Sequence, residues 1–330
     1  MTSCGYMTGL ITDPQRSNWD DTGPRPIAWS AWYPTEASAP ASPPESSFFD
    51  PGQVGVDAPP TSAAALPVVL LSHGTGGTAE SLGWLARALA GLGYVVLGAN
   101  HHGNTGVEPY RPEGFLCWWE RASDLSVLLD ALASNGPFAG LLDMRRVSAV
   151  GFSLGGYTAL ALAGARTSLA AFEAWRAAQG VTAGGPREFP GAADHIDGLL
   201  QTSKVFSTSW ARHGRVVSDA RIRSLVAIAP APTVRAFLPA SVAGISIPVT
   251  ILSGGADTEA PVEQCGDWLI QQNPRFTHHN LGRDIGHYTF VDLPADPGLS
   301  ETVEVFADFE GVDRRQVHVQ AAHLIRRALK

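Results

Sequence analysis

Val147-Ser148-Ala149-Val150-Gly151-Phe152-Ser153-Leu154-Gly155-Gly156-Tyr157-Thr158-Ala159-Leu160 is the stretch on which the reading of this chain turns. Val147 to Phe152 is a short apolar run of the kind that forms a buried strand. From Leu154 to Ala165 the chain is rich in Ala and Leu and reads as a helix. The join, Gly151-Phe152-Ser153-Leu154-Gly155, is the one match to G-x-S-x-G in the chain. With 35 glycines in 330 residues, the pentad alone is a weak signal. Its strand–turn–helix setting makes it a strong one, because that setting exposes a serine hydroxyl at a sheet edge. The helix N-terminus then directs N–H groups at any negative charge developing nearby. An ordinary glycine-lined turn is the competing reading.

Outward from this stretch, short apolar runs alternate with helical patterns, as in a mostly parallel sheet with helices on both faces. Strands are expected at Leu66 to Ser72, Tyr94 to Gly98, Ile222 to Ala229, Ile247 to Ser253 and Arg275 to Leu281. Helices are expected at about Ala79 to Leu92, Glu120 to Ala133 and Arg314 to Leu329. An early strand, Ile27 to Tyr33, follows a weaker candidate around Tyr6 to Thr12, and the Pro-rich Thr35 to Ala65 reads as a surface excursion. The alternation stops between Arg166 and Arg215. Residues 1–165 and 216–330 therefore read as the core, and 166–215 as an inserted cap, too long for an ordinary connection. A passive decoration is the alternative for that segment.

Composition bounds the function. Hydrophobic residues make up 45% and charged ones 16%, a globular balance. A net charge of −8 without any Lys/Arg cluster leaves no footprint for nucleic acid. No apolar run is long enough for a membrane span, and Met1 to Leu10 does not resemble a signal peptide, so a cytoplasmic location is expected. Cys4, Cys117 and Cys265 are odd in number and scattered, unlike a disulfide framework. Oligomeric state is not legible.

A serine hydroxyl needs a base, and histidine is the side chain suited to that near neutral pH. In strand–turn–helix hydrolases the order along the chain is Ser, acid, His, which restricts the ten histidines to those well after Ser153. His287 lies in a loop after the last expected strand; His278, His279, His318 and His323 fall within expected elements and read as structural or surface residues. The acid is Asp257, at the end of Ser253-Gly254-Gly255-Ala256-Asp257, where a helix-capping role is also open. Asp284 is the competitor. Ser72-His73-Gly74-Thr75-Gly76-Gly77 follows a buried strand, so the backbone N–H groups of Thr75 and Leu154 are the expected oxyanion donors, with His73 structural. His101-His102 has no carboxylate or cysteine at ligand spacing, so no metal site is assigned.

These segments together resemble the dienelactone-hydrolase-like and platelet-activating-factor-acetylhydrolase-like branch of the α/β hydrolases. The resemblance rests on Trp32-Tyr33-Pro34-Thr35, SHGTGG at 72–77, NHHGNTG at 100–106, GFSLGG at 151–156, GGAD ending at Asp257, and Gly286-His287. It implies an α/β-hydrolase fold and cleavage of a small-molecule carboxylic ester through an acyl-enzyme, with no cofactor. Two departures stand out: dienelactone hydrolases proper use a cysteine where Ser153 stands, and the strand ending at Ala229-Pro230-Ala231 carries no carboxylate, although acetylhydrolase-like members can place the acid there. Amide or lactone cleavage, or acyl transfer, would use the same residues, and a catalytically silent binding protein is the rival from another class. Trp118, Trp119, Phe172, Trp175 and Trp210 are candidates for an apolar substrate pocket; aromatic residues at such spacing also serve as plain core.

Overall fold

Leu66–Ser72 (β4), Val95–Asn100 (β5), Leu142–Phe152 (β6), Ile222–Ile228 (β7) and Val249–Ser253 (β8) are rich in Val, Ile, Leu and Ala, and almost every residue in them is buried. Such runs suit strands covered on both faces. A computed structural model describes residues 3–36, 48–61, 65–180 and 185–329. In it these strands pair in parallel in the order β5-β4-β6-β7-β8, and Thr277–Asn280 (β9) adds a further parallel strand at one edge. At the other side Pro24–Thr35 (β2) pairs antiparallel with β5 and with the long Ser3–Ser17 (β1), and Gly55–Val56 (β3) completes a nine-stranded sheet.

Side-chain alternation divides the core into two layers. Val68, Leu70, Leu97, Ala149 and Leu225 face the helices Arg121–Ser134 and Leu154–Leu162. Val69, Leu71, Val96, Val150 and Val226 face the helices Gly83–Ala90 and Arg314–Ala328. A third cluster, with Trp19, Phe115, Trp119, Ala192 and Phe206, ties residues 189–210 to the segment after β5. β4 lies between β5 and β6, so successive connections leave it in opposite directions. A crevice opens at the strand ends at such a switch point, and it positions the site described below.

Several expected elements differ in extent. The weak candidate at Tyr6 to Thr12 is the middle of the 15-residue β1, whose outer side is exposed and so carries no hydrophobic pattern at its ends. The helix expected at Ala79 to Leu92 begins as a 3-10 turn, Ala79–Leu82, and is α-helical over Gly83–Ala90. Helices Pro239–Ala243 and Gly266–Gln272 are too short to show a period in sequence. Of the Thr35 to Ala65 excursion, residues 37–47 and 62–64 lie outside the described residues, as do 181–184 of the later insertion. Among the described residues no helix is long and apolar enough to cross a membrane.

Histidines buried in the neutral form make the fold acid-sensitive. His101 holds Asp124 Oδ2 at 3.0 Å from its Nδ1 and Ser72 Oγ at 2.9 Å from its Nε2. His318 stacks on Trp84 with ring centroids 4.1 Å apart and donates from Nε2 to Thr289 O. Burial lowers each of these pKa values to about 3. Burial pushes Asp124 the other way, but the Arg25 and Arg16 guanidiniums outweigh it and hold that carboxyl well below its usual range. All three groups bind fewer protons folded than unfolded, so stability is full above about pH 6.5 and is lost as pH falls toward the folded values. The two histidines should each remove on the order of 2 kcal/mol by pH 5, seen as a lower urea midpoint than at pH 7.5. An unchanged midpoint would mean that these histidines are not held neutral.

Candidate active site

Ser153 stands between β6 and the following helix with φ 55° and ψ −118°, in a region that non-glycine residues rarely enter. The surroundings impose this backbone. Ser153 N donates to Ile228 O at 2.8 Å, and Ser153 O accepts from Gly156 N at 2.8 Å and Ala231 N at 3.1 Å. A Cβ at Gly151 would sit 1.9 Å from Gly155 O, and one at Gly155 would sit 2.0 Å from Ser72 O. The G-x-S-x-G glycines are there because the helix starts against the backbone of two strands.

Asp257 and His287 reach the same point from the ends of β8 and β9. Their loops are zipped together by Gly255 N donating to Gly282 O at 2.8 Å and Ala256 N to Ile285 O at 2.9 Å. Gly254 allows this, since a Cβ there would lie 2.3 Å from Ile285 O. Asp257 Oδ2 is 2.7 Å from His287 Nδ1, and His287 Nε2 is 3.0 Å from Ser153 Oγ. Asp257 Oδ1 also accepts from Ala260 N at 2.7 Å, a turn contact rather than a helix cap, since the next helix begins only at Gly266; the two contacts use different oxygens of one carboxylate. The three side chains are all buried: Ser153 is 7% exposed, His287 7% and Asp257 5%. Asp284 is turned outward onto Arg283, 3.1 Å away, with 60% of its side chain exposed. With the Nδ1 proton donated to the carboxylate, Nε2 is left to accept from the serine hydroxyl.

The loop after β4 is fixed from behind. His73 Nδ1 lies 2.6 Å from Gly74 O, and its Nε2 accepts from His101 N at 3.2 Å. Arg121 Nη2 donates to His73 O. Asn104 Oδ1 accepts from Gly76 N at 2.6 Å, and Tyr110 donates its hydroxyl proton to Gly76 O at 2.7 Å. The N–H groups of Thr75 and Leu154 are left without an acceptor among the described residues, and both residues line the cavity that contains Ser153 and His287.

That cavity holds about 410 Å³, within the range of small-molecule sites. Trp118, Phe172, Trp175 and Trp210 line it; Trp118 meets Phe172 at 5.4 Å and Phe172 meets Trp175 at 5.6 Å. Trp119 does not. It is 1% exposed and packs against Trp210, with Nε1 donating to Ser209 Oγ at 3.0 Å, because its neighbour Trp118 takes the cavity side and the two rings meet edge-on. Helix Leu169–Ala178 and residues 185–196, all within the 166–215 segment, form much of the wall. Glu188, Glu259 and Tyr288 also face the space. Sequence reasoning did not single them out; for Tyr288, adjacency to His287 was the available signal. Among the described residues no three His, Cys, Asp or Glu side chains are grouped to hold a metal ion.

No protein-family model matches the chain, and no curated protein matches it. A solved structure, the ferulic acid esterase from Streptomyces cinnamoneus, aligns with 99% of this chain and 89% of its own at a TM-score of 0.66 and 18% identity. The protein has the α/β-hydrolase fold. Thr75, Ser153 and Asp257 lie just past the ends of β4, β6 and β8, on one edge of the sheet.

Proposed function

We propose that this protein is a serine esterase, and that Ser153, His287 and Asp257 are its nucleophile, base and orienting acid. The observation that carries the reading is the continuous line Asp257 Oδ2–His287 Nδ1, 2.7 Å, and His287 Nε2–Ser153 Oγ, 3.0 Å, opening into an apolar cavity. His287 takes the hydroxyl proton as Oγ attacks an ester carbonyl, and Asp257 stabilises the imidazolium. The carbonyl oxygen becomes an oxyanion between the amides of Thr75 and Leu154, whose N–H groups have no acceptor among the described residues. His287 Nε2–H then protonates the leaving alcohol. A water, deprotonated by His287, attacks the acyl-enzyme and releases the acid.

Residues 166–215 serve as a cap in this reading, since they supply Phe172, Trp175 and Trp210 to the cavity wall. The acyl group is bound against those rings and Trp118. The sequence motifs favour the dienelactone-hydrolase-like and acetylhydrolase-like branch, with serine in place of cysteine. A fluorophosphonate probe should label the protein stoichiometrically, and peptide mass analysis should place the adduct on Ser153. A panel of esters with graded acyl groups should be hydrolysed in parallel. An adduct elsewhere, or no turnover of any ester, would refute the assignment.

A further inference from the structure

Around His287 the cavity changes character. Its far end is aromatic, while the end beside His287 gathers Glu188, Glu259, Arg187 and Tyr288. Arg187 is already engaged: it pairs with Glu304 and lies 3.7 Å from Glu259, and its guanidinium sits 5.5 Å from the centre of the Tyr288 ring. Two carboxylates, Glu304 and Glu259, therefore share the one guanidinium, with Glu188 beside them. Glu188 forms no ion pair among the described residues, and its carboxylate is hydrogen-bonded to its own backbone N–H. It overhangs the loop after β4, where a Cβ on Gly76 would lie 3.2 Å from its own Cβ. Burial raises its pKa and Glu259 adds to that rise, while the hydrogen bond from its own backbone N–H and attraction to His287 and Arg187 oppose it. The same carboxylates raise the phenol of Tyr288 beyond what burial alone does.

A carboxylate that is partly removed from water gains most from a cation, and the surrounding aromatic faces favour one as well. Which part of a substrate would meet it follows from the chemistry. His287 must protonate the departing oxygen, so the leaving alcohol lies on the His287 side, and the acyl group lies toward Trp118 and Phe172. Resting on the serine-esterase reading, we propose that Glu188 is a specificity-determining residue. It selects esters whose alcohol carries a protonated amine or a quaternary ammonium, and it disfavours alcohols that carry a carboxylate.

Three butyrate esters that share one acyl group test this with the full chain at pH 8. Their alcohols are 2-(trimethylammonio)ethanol, its uncharged carbon isostere 3,3-dimethylbutanol, and 3-hydroxypropanoate. The wild-type protein should favour the cationic over the neutral ester by about tenfold in kcat/KM, and the neutral over the anionic in the same sense. In Glu188→Gln the cationic-to-neutral ratio should fall to near one, and in Glu188→Lys the anionic ester should overtake the cationic one. Each ratio is internal to one protein, so a variant that loses overall activity is still informative; thermal melting checks that each is folded. A ratio near one in the wild type, or a preference that survives Glu188→Gln, overturns the proposal and leaves the esterase reading standing. No turnover of any of the three by the wild type counts against the esterase reading itself, and this proposal falls with it.

Discussion

Ser153→Ala should lower ester turnover by at least about 10³-fold while the protein melts as the wild type does. Removing one oxygen from a buried hydroxyl leaves the φ 55° backbone intact, because the bonds from Ser153 N to Ile228 O and to Ser153 O from Gly156 and Ala231 are all main-chain. What remains is the cavity and the amides of Thr75 and Leu154, the proposed oxyanion donors, which would still polarise a carbonyl toward water. Residual turnover of roughly 10³–10⁴ over the uncatalysed rate is the expectation for such a remnant. Turnover near the wild-type level, measured on folded protein with an activated ester, would dismiss Ser153 as nucleophile.

The second large effect falls on the acid. Asp257→Asn should cost at least about 10²-fold in kcat, whereas Asp284→Asn should cost less than about tenfold. An asparagine amide at 257 can still sit near Nδ1, but it can donate there, which favours the imidazole tautomer with its proton on Nε2 and blocks acceptance from Ser153. The geometry separates the two candidates. Asp257 Oδ2 lies 2.7 Å from His287 Nδ1, and Asp284 is spent on an exposed pair with Arg283. With its NH2 toward His287, the asparagine keeps its oxygen for Ala260 N, so Asp257→Asn should melt close to the wild type. The reverse order of the two variants would transfer the role to Asp284.

Legibility in the sequence followed burial and chain order. The parallel strands β4 to β8 were readable because both faces are covered, which leaves a short, mostly apolar run in each. Their relative order was not, since a run such as Val249–Ser253 carries no mark of which neighbour it pairs with. The candidate site residues Ser153, Asp257 and His287 could be named because hydrolases of this architecture carry such groups in one sequential order, and the structure brings these side chains together. Glu188 was invisible: it lies in a Gly/Pro-rich stretch, and only the packing of the insertion over Gly76 gives it a place. Trp118 and Trp119 show the same limit at its smallest scale, where adjacent, identical residues go to opposite sides of one wall.

Ser153, Asp257 and His287, the proposed nucleophile, acid and base, sit on separate connections of the sheet, with Ser153 and His287 134 positions apart in sequence. No local unit of the chain contains a working set. β6 and its helix could form early and present the serine, but the imidazole arrives only when β8 and β9 have docked and the loops at Gly255 and Gly282 have joined. Such distant pairings are slow to form, because the chain must close long loops before the contacts repay that cost. Recovery of activity during refolding should therefore trail the recovery of secondary structure, so that enzymatic competence reports the last step of assembly rather than the first. A nascent or nicked chain lacking its final strand would carry the serine without the means to activate it.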